Sequence, residues 1–143
     1  MIKMVVSSFY NTIIDEEEAI PRTTMLEIER IRNKGILFSI CTNRTYREVL
    51  EYNKDFPFLD YIISLNGSYI YDVKKDRCIL KKKISLASRK KITNIFNDKE
   101  IYYYTADKIL SNKDNIEEED IYKVEVVIDN LDEINKLDKI NIN

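Results

Sequence analysis

The sequence predicts an α/β fold: a right-handed parallel sheet of three strands with helices between them, followed by a smaller α+β unit. Three observations carry this. Short apolar runs rich in β-branched residues recur at Ile2–Ser7, Ile36–Cys41 and Asp60–Ser64, as strands buried in a parallel sheet do. Segments of helical periodicity separate them, giving the order strand, helix, strand, helix, strand. After the turn dipeptide Asn66-Gly67 the pattern changes to alternation, which marks a different kind of structure.

The elements follow in order. "IKMVVS" is expected to be a strand covered on both faces. In "PRTTMLEIERIRNKG", Pro21 suits a first helical turn, Met25, Ile28 and Ile31 recur at helical spacing, and Lys34-Gly35 is a stop signal. "ILFSIC" is the second strand, Thr45–Tyr52 the second helix and "DYIIS" the third strand. "YIYDVKKDRCILKKKI" alternates around a polar break at Lys74–Asp76, predicting a β-hairpin that leads away from the sheet. Beyond Ser85 the expectation is a helix at Ser88–Phe96, a strand at Ile101–Tyr104, a short helix near Asp107 and an acidic loop at Glu117–Asp120. A strand at Tyr122–Ile128 and a helix at Leu131–Leu137 complete it. The division is residues 1–80 for the parallel core and 81–143 for the α+β unit.

Composition narrows the chemistry. With 143 residues, 44% hydrophobic and 34% charged, the chain can bury a core and is not disordered in character. Its 23 basic and 25 acidic residues leave a net charge of −2, so no overall basic field draws it to nucleic acid. The apolar runs fall short of the ~20 residues a spanning helix needs, and the opening residues lead into a strand rather than a secretory signal. A cytoplasmic protein with no membrane role is expected. There is no His, and Cys41 and Cys78 form no Cys-x-x-Cys pair, which removes the usual zinc sites and every His-based triad.

Other chemistry-bearing residues have plain structural explanations. Cys41, at the end of a strand, is expected to be a satisfied core cysteine rather than a reactive thiol, since no basic partner adjoins it; Cys78 is expected to pack in the hairpin. Tyr102-Tyr103-Tyr104 reads as a strand using both faces before it reads as a stacking platform for bases. The basic runs Lys81–Lys83 and Arg89–Lys91, and the acidic run Glu117–Asp120, are expected to be solvated.

Three stretches resemble one family. Ser8-Phe9-Tyr10-Asn11-Thr12 ends the first strand, Thr42-Asn43-Arg44 ends the second and is followed by "TYREV", and Asn66-Gly67-Ser68-Tyr69-Ile70-Tyr71-Asp72 follows the third. In order and spacing these resemble the motifs of the Cof-type branch of the haloacid dehalogenase-like (HAD) phosphatases. That family ends its first strand in Asp-x-Asp-Gly-Thr and its second in Thr-Gly-Arg. The resemblance implies a Rossmann-like core carrying a cap, here incomplete. The family's Lys motif and acidic Gly-Asp motif have no counterpart in this sequence.

The resemblance also implies which chemistry is altered. The family's first Asp attacks phosphorus and its second is the general acid and base; Ser8 and Tyr10 stand at those positions. A serine hydroxyl stays protonated without a base, and the family's Mg²⁺ prefers carboxylate oxygen. Phosphoryl transfer rests on charge placed around the phosphoryl group, so no catalytic residue and no metal are expected here. A non-catalytic, pseudo-phosphatase binding or interaction module follows. The alternative is a weak Mg²⁺-dependent hydrolase of small phosphorylated metabolites, using Asp15 or Glu16. Thr12, Thr42, Asn43, Arg44, Asn66 and Gly67 are the candidate residues for a phosphorylated ligand at the strand ends, where open α/β sheets bind. The plainer reading, favoured over ligand contact, makes Thr42 a helix cap, Arg44 a partner in a surface ion pair, and Asn66-Gly67 a turn with positive φ. Tyr10 is expected to fill part of the volume a phosphate needs. The first strand is expected to be an apolar sheet edge covered by a second copy of the chain, the chain's own tail or another protein, most simply as a homodimer.

Overall fold

The computed structural model describes residues 1–139, with side chains described as far as Lys136. The chain folds as two compact units, Met1–Lys81 and Lys82–Asn143.

The first unit is built on a five-stranded sheet in the order β1-β2-β3-β4-β5. Strands β1 (Met4–Ser8), β2 (Leu37–Cys41) and β3 (Tyr61–Ser64) are parallel. Helix α1 (Arg22–Asn33) joins β1 to β2, and α2 (Tyr46–Tyr52) joins β2 to β3. Pro21 stands just before the first turn of α1 as its N-cap residue, and α1 ends where Gly35 adopts φ +73°, a conformation that costs glycine nothing. Phe38, Ile40 and Ile62 point to one face of the sheet and are buried with Ile28 of α1 and Val49 of α2. Burying each such side chain is worth roughly 1.5–3 kcal/mol.

Two expectations for this unit are corrected. Strand β1 is not covered on both faces: Met4 is 38% and Val6 47% exposed, and only Val5 and Ser7 are half-buried. The hairpin of β4 (Tyr69–Asp72) and β5 (Arg77–Lys81) does not lead away but extends the same sheet, β4 pairing antiparallel with β3. Its inward side chains account for this. The ring of Tyr46 on α2 stacks on Tyr69 at 5.2 Å and on Tyr71 at 4.6 Å between centroids, and Ser64 Oγ donates to the Tyr69 carbonyl at 3.0 Å. Aromatic pairs at these separations add to the area they bury.

In the second unit α3 (Leu86–Ile95) is capped by Ser85, whose Oγ accepts from the Ser88 amide at 3.1 Å. The sheet runs β7-β6-β8, with β6 (Ile101–Tyr104) between β7 (Ile109–Ser111) and β8 (Lys123–Val126), all antiparallel. Ile92, Phe96, Ile101, Tyr103 and Ile121 form its core. No helix forms near Asp107. Thr105 Oγ1 accepts from the amides of Asp107 and Lys108 at 3.3 and 3.0 Å, and this side-chain turn reverses the chain into β7. The closing segment Leu131–Lys139 is 3₁₀. The acidic run is not merely solvated: Asp120 pairs with Lys83 at 2.7 Å, Glu117 with Lys90 at 2.8 Å and Glu119 with Lys108 at 2.6 Å. Arg89, 6% exposed, reaches the carbonyls of Ile116 and Glu119. Three bases of the two basic runs are thus spent on the chain's own acidic loop. Among the described residues no helix is long and apolar enough to cross a membrane.

Candidate functional site

The C-terminal ends of β1, β2 and β3 lie side by side because Ser8 pairs in register with Cys41 and Cys41 with Ile63. This is where a parallel sheet leaves its strand-end loops free to form a site. Beyond β1 the chain turns at once. The Phe9 carbonyl accepts from the amides of Ile13 and Ile14 at 2.9 and 3.2 Å, Asn11 adopts φ +57°, and Phe9 is buried at 1% exposure. The turn brings Thr12 back to Ser8, their hydroxyl oxygens 2.6 Å apart.

Tyr10 sits half-buried beside this pair. Its ring meets Phe9 edge-on at 5.3 Å, and its phenol is hydrogen-bonded to Tyr52 of α2. The guanidinium of Arg44 lies over the Tyr10 ring, 4.7 Å from the centroid, a cation–π distance. Arg44 also pairs with Glu48 at 3.2 Å. Burial works against the charge of Arg44, but Tyr10, the hydrogen bond and charge of Glu48, and the charge of Glu18 outweigh it and raise its pKa. Tyr52 is also raised, first by burial and then by Tyr10.

The loop after β2 is laced to the turn after β3. Thr42 donates its amide to Ile63 at 2.9 Å and accepts at its carbonyl from the Asn66 amide at 3.1 Å, while the Arg44 carbonyl accepts from Leu65 at 3.1 Å. Asn66 and Gly67 adopt φ +56° and +88°, so they supply a left-handed turn that Asn and Gly tolerate best. Thr42 does not cap α2; its Oγ1 accepts from the Arg44 amide at 3.2 Å. Asn43 is exposed on the same loop.

Thr45 is the cap, buried at 2% exposure. Its Oγ1 accepts from the Glu48 amide at 3.3 Å, and Glu48 Oε2 accepts from the Thr45 amide and hydroxyl at 2.8 and 2.7 Å, a complete capping box. Thus Glu48 holds both features that attract an anion here, the opening of α2 and the Arg44 guanidinium. Glu48 and Tyr52 were not among the residues singled out from the sequence, although Thr45-Tyr46-Arg47-Glu48 carries the capping-box spacing.

Of the expected ligand residues, Thr12 alone lines the cavity of about 440 Å³ beside this loop, with Asn11, Ile13, Ile14, Asp15, Glu16 and Pro21. Asp15 does not reach toward Ser8 as a free acid; its Oδ1 accepts from the amides of Glu17 and Ala19 at 3.0 and 2.9 Å. Cys41, the last residue of β2, is exposed and not a core cysteine. Cys78 is half-buried, its Sγ 3.2 Å from the Leu80 carbonyl.

The donor set does not fit a divalent metal. Ser8, Tyr10 and Thr12 offer neutral oxygens, whereas Mg²⁺ is held through carboxylates. Among the described residues no group of three or more His, Cys, Asp or Glu is arranged to hold a metal ion.

A parallel sheet with short strand-end loops, a Thr-x-Arg loop after the second strand and a left-handed Asn-Gly turn after the third define a class: Rossmann-like α/β domains that work at their strand ends. Residues 7–143 match the haloacid dehalogenase-like hydrolase family, and the chain belongs to that family. A protein of Buchnera aphidicola subsp. Baizongia pistaciae named "Putative phosphatase" is 35% identical over 75 residues, 52% of this chain and 28% of that protein. Two crystal structures share the fold. One, from Geobacillus kaustophilus, has a TM-score of 0.80 and 18% identity, covering 97% of this chain and 62% of the other. One from Thermotoga maritima has 0.74 and 19%, covering 98% and 61%. The chain therefore spans about three fifths of the length of these structures and 28% of the curated relative.

Proposed function

We propose that this chain is a non-catalytic HAD-like module that serves in binding or interaction rather than in phosphoryl transfer. The observation that carries the reading is the Ser8–Thr12 hydroxyl pair, 2.6 Å apart at the tip of β1. Where the family's chemistry needs an anionic nucleophile, this strand end holds a neutral oxygen. Its hydrogen-bonding partner is a second hydroxyl, which is no base for an alkoxide. Tyr10, at the acid/base position, is packed against Phe9, Tyr52 and Arg44 and offers a phenol in place of a carboxylate.

A small phosphorylated ligand at Thr12, Thr42, Asn43, Arg44, Asn66 and Gly67 would have to displace Glu48 from Arg44. The alternative of a weak Mg²⁺-dependent phosphatase finds less support, because the Asp15 carboxylate is engaged with its own loop. Hydrolysis of p-nitrophenyl phosphate with Mg²⁺, run beside a Ser8→Ala control, tests the proposal. Wild type and control are expected to give the same background rate. Turnover by the wild type clearly above the control overturns it.

A further inference from the structure

We infer that the second unit carries a binding site for a free α-amino acid, in the cavity between α3, Tyr103 of β6 and the loop that leads from β7 to β8. No residue of the first unit takes part in it.

The cavity measures about 210 Å³, and the described residues that line it run from Leu86 to Glu117. The same stretch of chain holds its walls together. Arg89, 6% exposed, donates from Nη1 to the carbonyls of Ile116 and Glu119, and at the other end of the loop Asn112 Nδ2 donates to the Lys99 carbonyl at 3.2 Å. The loop is pinned at both ends. A volume below the roughly 300–1,000 Å³ of drug-sized pockets limits the guest to a molecule of few non-hydrogen atoms.

The floor dictates one end of that guest. Tyr103 is fully buried, and its hydroxyl oxygen lies 2.5 Å from Thr93 Oγ1. Thr93 has a single hydroxyl proton, which it donates to the Arg89 carbonyl at 3.0 Å. Tyr103 must therefore donate to Thr93, and its phenolic oxygen has only acceptor capacity left. A guest meets this floor with a donor.

The mouth dictates the rest. Lys90 Nζ and Glu117 Oε1 stand 2.8 Å apart, with side chains 57% and 61% exposed. A pair as wet as this contributes little and opens readily. A guest with one charge would engage one partner and strand the other, whereas a zwitterion answers both. Its carboxylate takes the Lys90 ammonium, its ammonium takes Glu117, and a remaining N–H of that ammonium supplies the donor the Tyr103 oxygen lacks. An α-amino acid carries its two charged groups within one carbon of each other, as close as the two side chains that receive them. Leu86 and Ile116 give a short side chain apolar contact.

The full chain is to be titrated with the common L-α-amino acids, one at a time, by calorimetry and thermal unfolding at constant ionic strength. At least one with a short side chain is expected to bind in the millimolar range or tighter and to raise Tm. Its two halves, the amine lacking the carboxylate and the acid lacking the ammonium, are expected to do neither. Lys90→Met and Glu117→Gln, both at exposed positions, are each expected to weaken binding about tenfold with an unchanged circular dichroism spectrum. Should one variant fail to fold, the other and the half-molecules still decide. Binding by no amino acid at millimolar concentration, equal binding of a half-molecule, or undiminished binding in either folded variant overturns the inference.

Discussion

Removing the Glu48 carboxylate tests whether the chain itself occupies the anion-attracting corner of the site. Glu48→Ala strips from the buried Thr45 the one acceptor its amide and hydroxyl share, Glu48 Oε2 at 2.8 and 2.7 Å, and breaks the 3.2 Å pair with Arg44. Leaving a buried donor unsatisfied costs about 1–3 kcal/mol. The Arg44–Glu48 pair, with side chains 44% and 34% exposed, is worth only about 0.3–0.5 kcal/mol. Alanine returns a few tenths through helix propensity, so the net loss is expected near ~1.5 kcal/mol in urea unfolding. Glu48→Gln keeps an acceptor for the Thr45 amide while deleting the charge, and is expected to cost about 0.5 kcal/mol. The Gln variant also frees Arg44. Inorganic phosphate should then stabilise the variant by RT ln(1 + [L]/Kd), ~1.4 kcal/mol at ten times Kd, and leave the wild type unmoved. If both substitutions cost nothing measurable, or if phosphate stabilises wild type and variant alike, Glu48 does not hold this corner.

A Tyr10→Ala and Arg44→Ala double-mutant cycle is expected to give a coupling of about 0.5–1 kcal/mol, the range of a partly exposed cation–π contact; additive effects would show that the 4.7 Å approach has no energetic consequence. Arg89→Met is expected to cost about 2 kcal/mol by abandoning the carbonyls of Ile116 and Glu119 and to speed amide exchange at residues 116–120, and unchanged exchange would sink it. Burial, followed by the hydrogen bond to Asp76 and its charge, pushes Tyr71 up from 10.0 to about 12. Its folded pKa being above the unfolded one, its contribution is whole below pH 10 and is lost as pH rises toward 12. Urea unfolding at stepped alkaline pH should therefore fall more steeply for wild type than for Tyr71→Phe, and parallel curves would refute the assignment.

The parallel half of the first sheet was legible because its signals are local. Three β-branched runs and two amphipathic segments each announce themselves within about ten residues, and right-handed crossovers leave one arrangement. The fate of the hairpin was not legible, since it depends on Tyr46 meeting Tyr69 and Tyr71 across a register that no single segment encodes. The same holds for β7. Its short apolar run is weak, and what makes it a strand is the Thr105 hydroxyl closing the turn before it. At the site, the motif residues could be placed on strand ends in advance, yet the pairing of the acidic loop with Lys83, Lys90 and Lys108 was hidden. Opposite runs far apart in sequence read as solvated until the fold sets them together.

On the proposed reading, in which Ser8 and Tyr10 stand where the family carries two carboxylates, the exchange has a physical direction. Two acids crowded at a strand end repel one another and must be kept charged against partial burial, a cost that an active site bears for its chemistry. Ser8 replaces one with a hydroxyl that Thr12 satisfies locally. Tyr10 replaces the other with a ring that gains contacts to Phe9, Tyr52 and Arg44, each favourable without a metal to neutralise it. Restoring the acids should therefore reverse the gain. Ser8→Asp with Tyr10→Asp is expected to unfold at lower urea than wild type in the absence of Mg²⁺, and to recover none of that loss when Mg²⁺ is added, because among the described residues no group of three or more His, Cys, Asp or Glu is already arranged to hold a metal ion. Recovery of stability with millimolar Mg²⁺ would show that the two acids alone suffice to rebuild the cation site, and that the donor set, not the loss of partners around it, was all that separated this strand end from a working one.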